Sequence, residues 1–178
     1  MLKFNNNLII DYISCKDCAR AEICVLICRP LTQKLKPFPT SFWLACPYLM
    51  RIAGELESQG GVRKLETWLA AHNKFKEWRV FNLLHQQIRL DLLSNGSRSR
   101  RGDLMQKIFL SRCKPEIYKS LRRGGVGGIN YLDLNNKIYV KCLHLQLASF
   151  IALNYHPGAE WLREKLENRC PAVNVNYK

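Results

Sequence analysis

Acidic side chains are scarce in this sequence, and so are the signatures of the commonest enzymes. Only 14 Asp and Glu stand among 178 residues, so the clustered carboxylates of a magnesium-dependent phosphoryl-transfer site are not expected. There is no Gly-x-Ser-x-Gly elbow and no His-Glu-x-x-His pair, which removes the usual routes to a serine hydrolase or a zinc protease. No apolar run approaches the roughly 20 residues that cross a bilayer. The most apolar stretch, Leu143–Leu153, is interrupted by His144, Gln146 and Ser149. Residues 1–12 lack both the apolar core and the small-residue cleavage site of a signal peptide. The expected setting is therefore cytoplasmic, with no membrane partner. Internal repeats are absent.

What is present is an excess of positive charge and of cysteine. The chain carries +14, and 47% of it is hydrophobic, which suits one ordinary globular domain over residues 1–178. Residues Arg63–Arg123 hold 15 basic against 5 acidic side chains. A field of that sign attracts polyanions, RNA among them. It equally suits a solvated basic face, and no recognised nucleic-acid motif decides between the two. In a reducing compartment the eight cysteines read as ligands, reactive groups or small core residues before they read as disulfides.

The hydrophobic pattern predicts a predominantly helical α+β fold with a few short strands near the cysteines. Residues 1–30 form a cysteine-rich element, in which Ile23–Cys28 is apolar and β-branched like a buried strand. Thr40 or Ser41 caps a helix expected from about Phe42 to Ser58, with Pro47 tolerated in its first turn and Gly60-Gly61 ending it. Leu65, Leu69, Trp78, Phe81, Ile88 and Leu92 keep a helical spacing over Val62–Leu93, with a break expected at Asn73. Ser94–Gly102 reads as a mobile basic loop. A helix over Asp103–Arg123 is punctuated by Pro115. Ile138–Val140 reads as a short strand, Leu143–Leu153 as a buried helix, and Ala159–Asn168 as a last amphipathic one.

Three constellations carry chemistry. Cys15, Cys18, Cys24 and Cys28 bring four thiols into 14 residues, and a Cys-x2-Cys pair converges on one ion. Cys46-Pro47 stands at a helix start, where dipole and free amides favour a thiolate. Cys142 and His144 stand where a strand gives way to a helix, although each alone also reads as a core thiol and a satisfied histidine. Thiolate and imidazole together suit zinc or an iron–sulfur cluster. Arg122 and Arg123 precede Gly124-Gly125-Val126-Gly127-Gly128, a run that fits a glycine-rich turn or an anion nest. With Arg98, Arg100 and Arg101 they are the candidate contacts for nucleic acid. No Lys-Ser or Lys-Thr follows the glycines, so they do not form a phosphate-binding loop.

Pro37-Phe38-Pro39-Thr40, Leu44-x-Cys46-Pro47-x-Leu49 and Leu56-Glu57-x-x-Gly60, followed in the second half by Val140-Lys141-Cys142-Leu143-His144 and Asn154-x-x-Pro157-Gly158, form an ordered set. It resembles the bacterial family catalogued as domain of unknown function 501, over roughly Cys28 to Gly158. The resemblance implies no activity. Carried over by position, it picks out Cys28, Cys46, Cys142 and His144, and leaves Cys15, Cys18 and Cys24 outside. Two functions follow as expectations: a metal-binding protein using zinc or an iron–sulfur cluster, or a non-enzymatic RNA-binding protein with structural cysteines.

Overall fold

A computed structural model describes residues 8–14, 23–93, 100–123 and 137–166, with the backbone alone at 100–106 and 123. Among these residues the chain folds as α+β, predominantly helical. A three-stranded antiparallel sheet runs β1 (Ile9–Ser14), β2 (Ile23–Cys28), β3 (Phe42–Leu44), in that spatial order. Seven helices follow: α1 (Pro47–Ser58), α2 (Gly61–Ala71), α3 (Phe75–Asp91), α4 (Arg100–Cys113), α5 (Pro115–Arg123), α6 (Leu143–Leu153) and α7 (Ala159–Leu166).

The sheet begins where apolar β-branched residues cluster. β2 is central and β3 is an edge strand. Val25 pairs with Leu44, and Ile27 with Phe42; directly opposed residues share a face, and this one meets the helices. Residues Phe42–Leu44 therefore correct the expected helix start. Pairing with β2 takes those residues into the sheet, and the helix waits for Pro47, whose ring fixes φ at its first position while Cys46 serves as N-cap. β1, which the cysteine-rich reading passed over, completes the sheet.

The breaks between helices follow the backbone chemistry. Gly60 takes φ +75° between α1 and α2, and Asn73 takes φ +54° between α2 and α3, conformations open to Gly and tolerated by Asn. Pro115 opens α5, with the single residue Lys114 between it and the end of α4. Two further expectations are corrected. α4 starts at Arg100, so the basic loop gives up its last three residues to a helix. Ile138–Val140 forms no strand; the Val140 amide donates instead to Glu66 Oε1 at 2.8 Å, so a side chain from α2 satisfies what a ladder would have.

α6 is the hub. Gln146, Leu147, Ala148, Ser149 and Phe150 are all buried, because this helix lies against β3 and α1. The main core joins Val25, Phe42 and Leu44 of the sheet to Leu49, Leu65 and Leu147 of the helices. Fully burying one such leucine stabilises the fold by about 1.5–3 kcal/mol. A second, smaller cluster of Leu31, Leu93, Leu110 and Leu121 lies under α4 and α5. Among the described residues no helix is long and apolar enough to cross a membrane.

Candidate functional site

The amino end of α6 is held by a carboxylate from a distant helix. Glu57 lies in the last turn of α1, and its Oε1 accepts the Leu143 amide at 2.5 Å and the His144 amide at 3.3 Å. These are two of the amides that a helix start leaves without partners. A carboxylate near its own helix's carboxyl end sits in unfavourable potential; the opposing amino terminus of α6 offsets this. The same oxygen lies 3.0 Å from His144 Nδ1. A ring nitrogen facing a carboxylate carries the proton, so the lone pair of the neutral imidazole is on Nε2.

Cys142 is the N-cap residue of α6. Burial first, and then the nearby Glu57 charge, raise its thiol pKa, while the Leu145 and His144 amides and Lys141 pull the other way. The net effect keeps the thiol protonated at neutral pH. Cys142 and His144 line a cavity of about 240 Å³, together with Lys141. The rest of its lining is mostly apolar and includes Pro39, Phe42, Trp43, Leu44 and Met50. Thr40 seals part of the β3 edge there, since its hydroxyl donates to the Phe42 carbonyl (2.8 Å) and accepts the Phe42 amide (3.2 Å). Motif pieces from both halves of the chain (Pro39-Thr40, Glu57, Lys141–His144) thus meet at one place. A concave, mostly apolar surface with a few convergent polar groups is the usual form of a ligand site.

Among the described residues, Cys28 stands apart from Cys24 and Cys46. Cys28 donates its amide to the Ser41 carbonyl at one end of the β2–β3 pair, whereas Cys24 accepts the Cys46 amide (3.2 Å) at the other end. The two ends, Cys24 and Cys28, are four positions apart on the strand, about 13 Å at the usual rise. Two sulfurs on one zinc ion lie within about 4.6 Å of each other, so Cys28 and Cys46 do not share an ion. Cys28 is fully buried, its sulfur 3.8 Å from the Leu26 carbonyl, and burial pushes its pKa up to about 11. Cys24 and Cys46 are buried too. Among the described residues no three Cys, His, Asp or Glu side chains gather as an ion would require.

Cys15, Cys18 and Arg98 lie outside the described residues. Arg100 and Arg101 begin α4 and Arg123 ends α5, each with its backbone alone described, and Arg122 is exposed at the end of α5. Glu57 was missed as a site residue. Its signal was an acid in the last turn of a helix, the position where the dipole disfavours one.

The fold is α+β, and the Glu57–His144 pair stands beside the apolar cavity where the motif pieces converge. The chain belongs to the family described as protein of unknown function (DUF501), which matches residues 14–164. That span takes in Cys15, Cys18 and Cys24 as well as the later motifs. No curated protein and no solved structure matches the chain.

Proposed function

We propose that the protein works in the cytoplasm through the cavity at the amino end of α6, and that Cys142 Sγ and His144 Nε2 bind a soft divalent metal there, zinc first. The observation that carries this reading is the 3.0 Å contact between Glu57 Oε1 and His144 Nδ1. A carboxylate on the far nitrogen of a ligating imidazole is the usual outer partner of a zinc-bound histidine: it fixes the tautomer and raises the basicity of the other nitrogen. One thiolate and one imidazole suit zinc better than a cluster held by four cysteines. Two protein ligands leave coordination positions open toward the apolar cavity, where water or a bound molecule completes them. Metal binding then takes the proton from Cys142, so affinity rises with pH.

Zinc titration of the purified protein tests this directly. Wild type is expected to take up one zinc per chain, Cys142→Ser and His144→Ala to lose it, and Glu57→Gln to weaken it by about 10–100-fold. Equal zinc uptake by wild type and both ligand variants overturns the reading and leaves the cavity as a metal-free ligand site. RNA binding through the basic middle of the chain is a separate proposal that rests on charge alone.

A further inference from the structure

Among the described residues, every buried side-chain nitrogen or oxygen without a hydrogen-bond partner belongs to two helices. They are Trp78 Nε1, Asn82 Oδ1, His85 Nε2, and Arg89 Nε and Nη1 on α3, with Gln146 Nε2 and Ser149 Oγ on α6. Hydrogen-bond logic assigns two of the ambiguous ones, Gln146 and Asn82. The Gly158 amide donates to His156 Nδ1 (2.9 Å), so His156 Nε2 carries the ring proton and donates to Gln146 Oε1 (2.9 Å). The free end of Gln146 is therefore a donor. Asn82 Nδ2 donates to the Trp78 carbonyl (2.7 Å), which leaves Oδ1 as an acceptor. Unmet donors outnumber unmet acceptors, and two of them belong to a full cation.

That cation is Arg89, only 2% exposed. Its Nη2 donates to the Phe38 carbonyl. Among the described residues no carboxylate compensates it, and burial lowers its pKa to about 10. A buried guanidinium with a single carbonyl partner is among the costlier arrangements in a protein interior, and an unpartnered buried group of this kind calls for an ion or water. His85 stands one helical turn earlier, so the two β-carbons lie about 5–6 Å apart. Its ring is held edge-on by Phe42 (5.6 Å) and Phe81 (4.6 Å), aromatic walls that exclude bulk water.

We propose that Arg89 and His85 form a buried anion site between α3 and the Pro37–Thr40 segment, filled by a halide or a carboxylate of a few atoms. Arg89 supplies the charge through Nε and Nη1, and His85 donates Nε2–H in its neutral form. The guest is small because both residues are sealed from solvent, at 2% and 5% exposure. The site is independent of the metal reading, although Phe38 immediately precedes Pro39 of the cavity wall.

Thermal melting in sodium gluconate, with chloride, bromide or formate exchanged in at constant ionic strength, tests it. In wild type the melting temperature is expected to climb with the logarithm of small-anion concentration, while gluconate, too large to enter, has no such effect. Arg89→Met keeps the side-chain volume and removes the charge, and it is expected to abolish the response. No response in wild type, or an equal one in the variant, overturns the proposal. Should Arg89→Met fail to fold, wild-type crystals soaked in bromide decide. An anomalous peak within hydrogen-bonding reach of Arg89 Nε or Nη1 supports the site, and its absence there overturns it.

Discussion

Glu57 and His144 are 87 positions apart in the chain, yet Oε1 of the one lies 3.0 Å from Nδ1 of the other, and the same oxygen takes the amide of Leu143. One carboxylate thus caps α6 and orients the histidine beside it. Glu57→Ala would leave two part-buried amides unpaired and is expected to cost about 1–3 kcal/mol. Glu57→Gln keeps an acceptor and should recover most of that stability, but not the preference of His144 for one tautomer. Denaturant midpoints report the first effect. The 15N shifts of the His144 ring report the second.

His85 and His156 are buried, and burial brings the pKa of each down to about 3. The ordinary value is 6.5, so between pH 6.5 and 3 the unfolded chain binds protons that the folded chain does not. Stability is complete above pH 6.5 and falls as pH drops through that window, with a slope approaching about 1.4 kcal/mol per pH unit for each histidine. Urea unfolding from pH 7.5 to 4 should show this decline, and a His85→Phe variant that folds should show a shallower one. A wild-type profile flat over that range would contradict neutral buried imidazoles.

Gly61 is where α2 starts against α6. A β-carbon there would lie 2.6 Å from the Leu56 carbonyl oxygen and 2.8 Å from Leu143 Cδ1. The leucine can turn, but the carbonyl belongs to the backbone of α1 and cannot move freely. Gly61→Ala is expected to destabilise by about 1–3 kcal/mol and, by shifting Leu143, to loosen the hold of Glu57 on α6. Gly54 has open space around its Cα, so Gly54→Ala is the control and should be neutral or stabilising. A calorimetric comparison of the two variants checks this.

The basic middle of the chain predicts weak nucleic-acid binding without sequence preference, because charge reads phosphate and not bases. The logarithm of affinity should fall by about 0.9 for each phosphate contact per tenfold rise in salt on duplex DNA, and by about 0.7 on single strands. Replacing Arg98, Arg100 and Arg101 with alanine should flatten that slope. Fluorescence anisotropy at several salt concentrations measures it. No binding at low salt would leave the charge as a solubility feature.

Much of the architecture was legible in the residues. The apolar run Ile23–Cys28 is a strand, Leu143–Leu153 is a buried helix, and the breaks at Gly60, Asn73 and Pro115 fall where backbone chemistry puts them. All of these are local: a φ preference, a missing amide hydrogen, an apolar period. The failures at Phe42–Leu44 and Ile138–Val140 were not local. Three residues join a sheet only if a partner strand is beside them, and Ile138–Val140 needs no strand when Glu66 satisfies the Val140 amide.

The same division runs through the candidate site. The order of residues sets which groups are available: a thiol and an imidazole two residues apart at a helix start, an aromatic and proline-rich segment, and a large positive charge. Packing of the helices on the sheet gives Cys142 and His144 a shared cavity and leaves Cys28 and Cys46 at opposite ends of a strand pair. Packing also brought Glu57 to His144 and buried Arg89 with no carboxylate beside it among the described residues. Spacing along a chain constrains neighbours within a turn or a strand. Contacts between residues 51 or 87 positions apart depend on how the helices pack on the sheet, and on which polar groups that packing leaves without water.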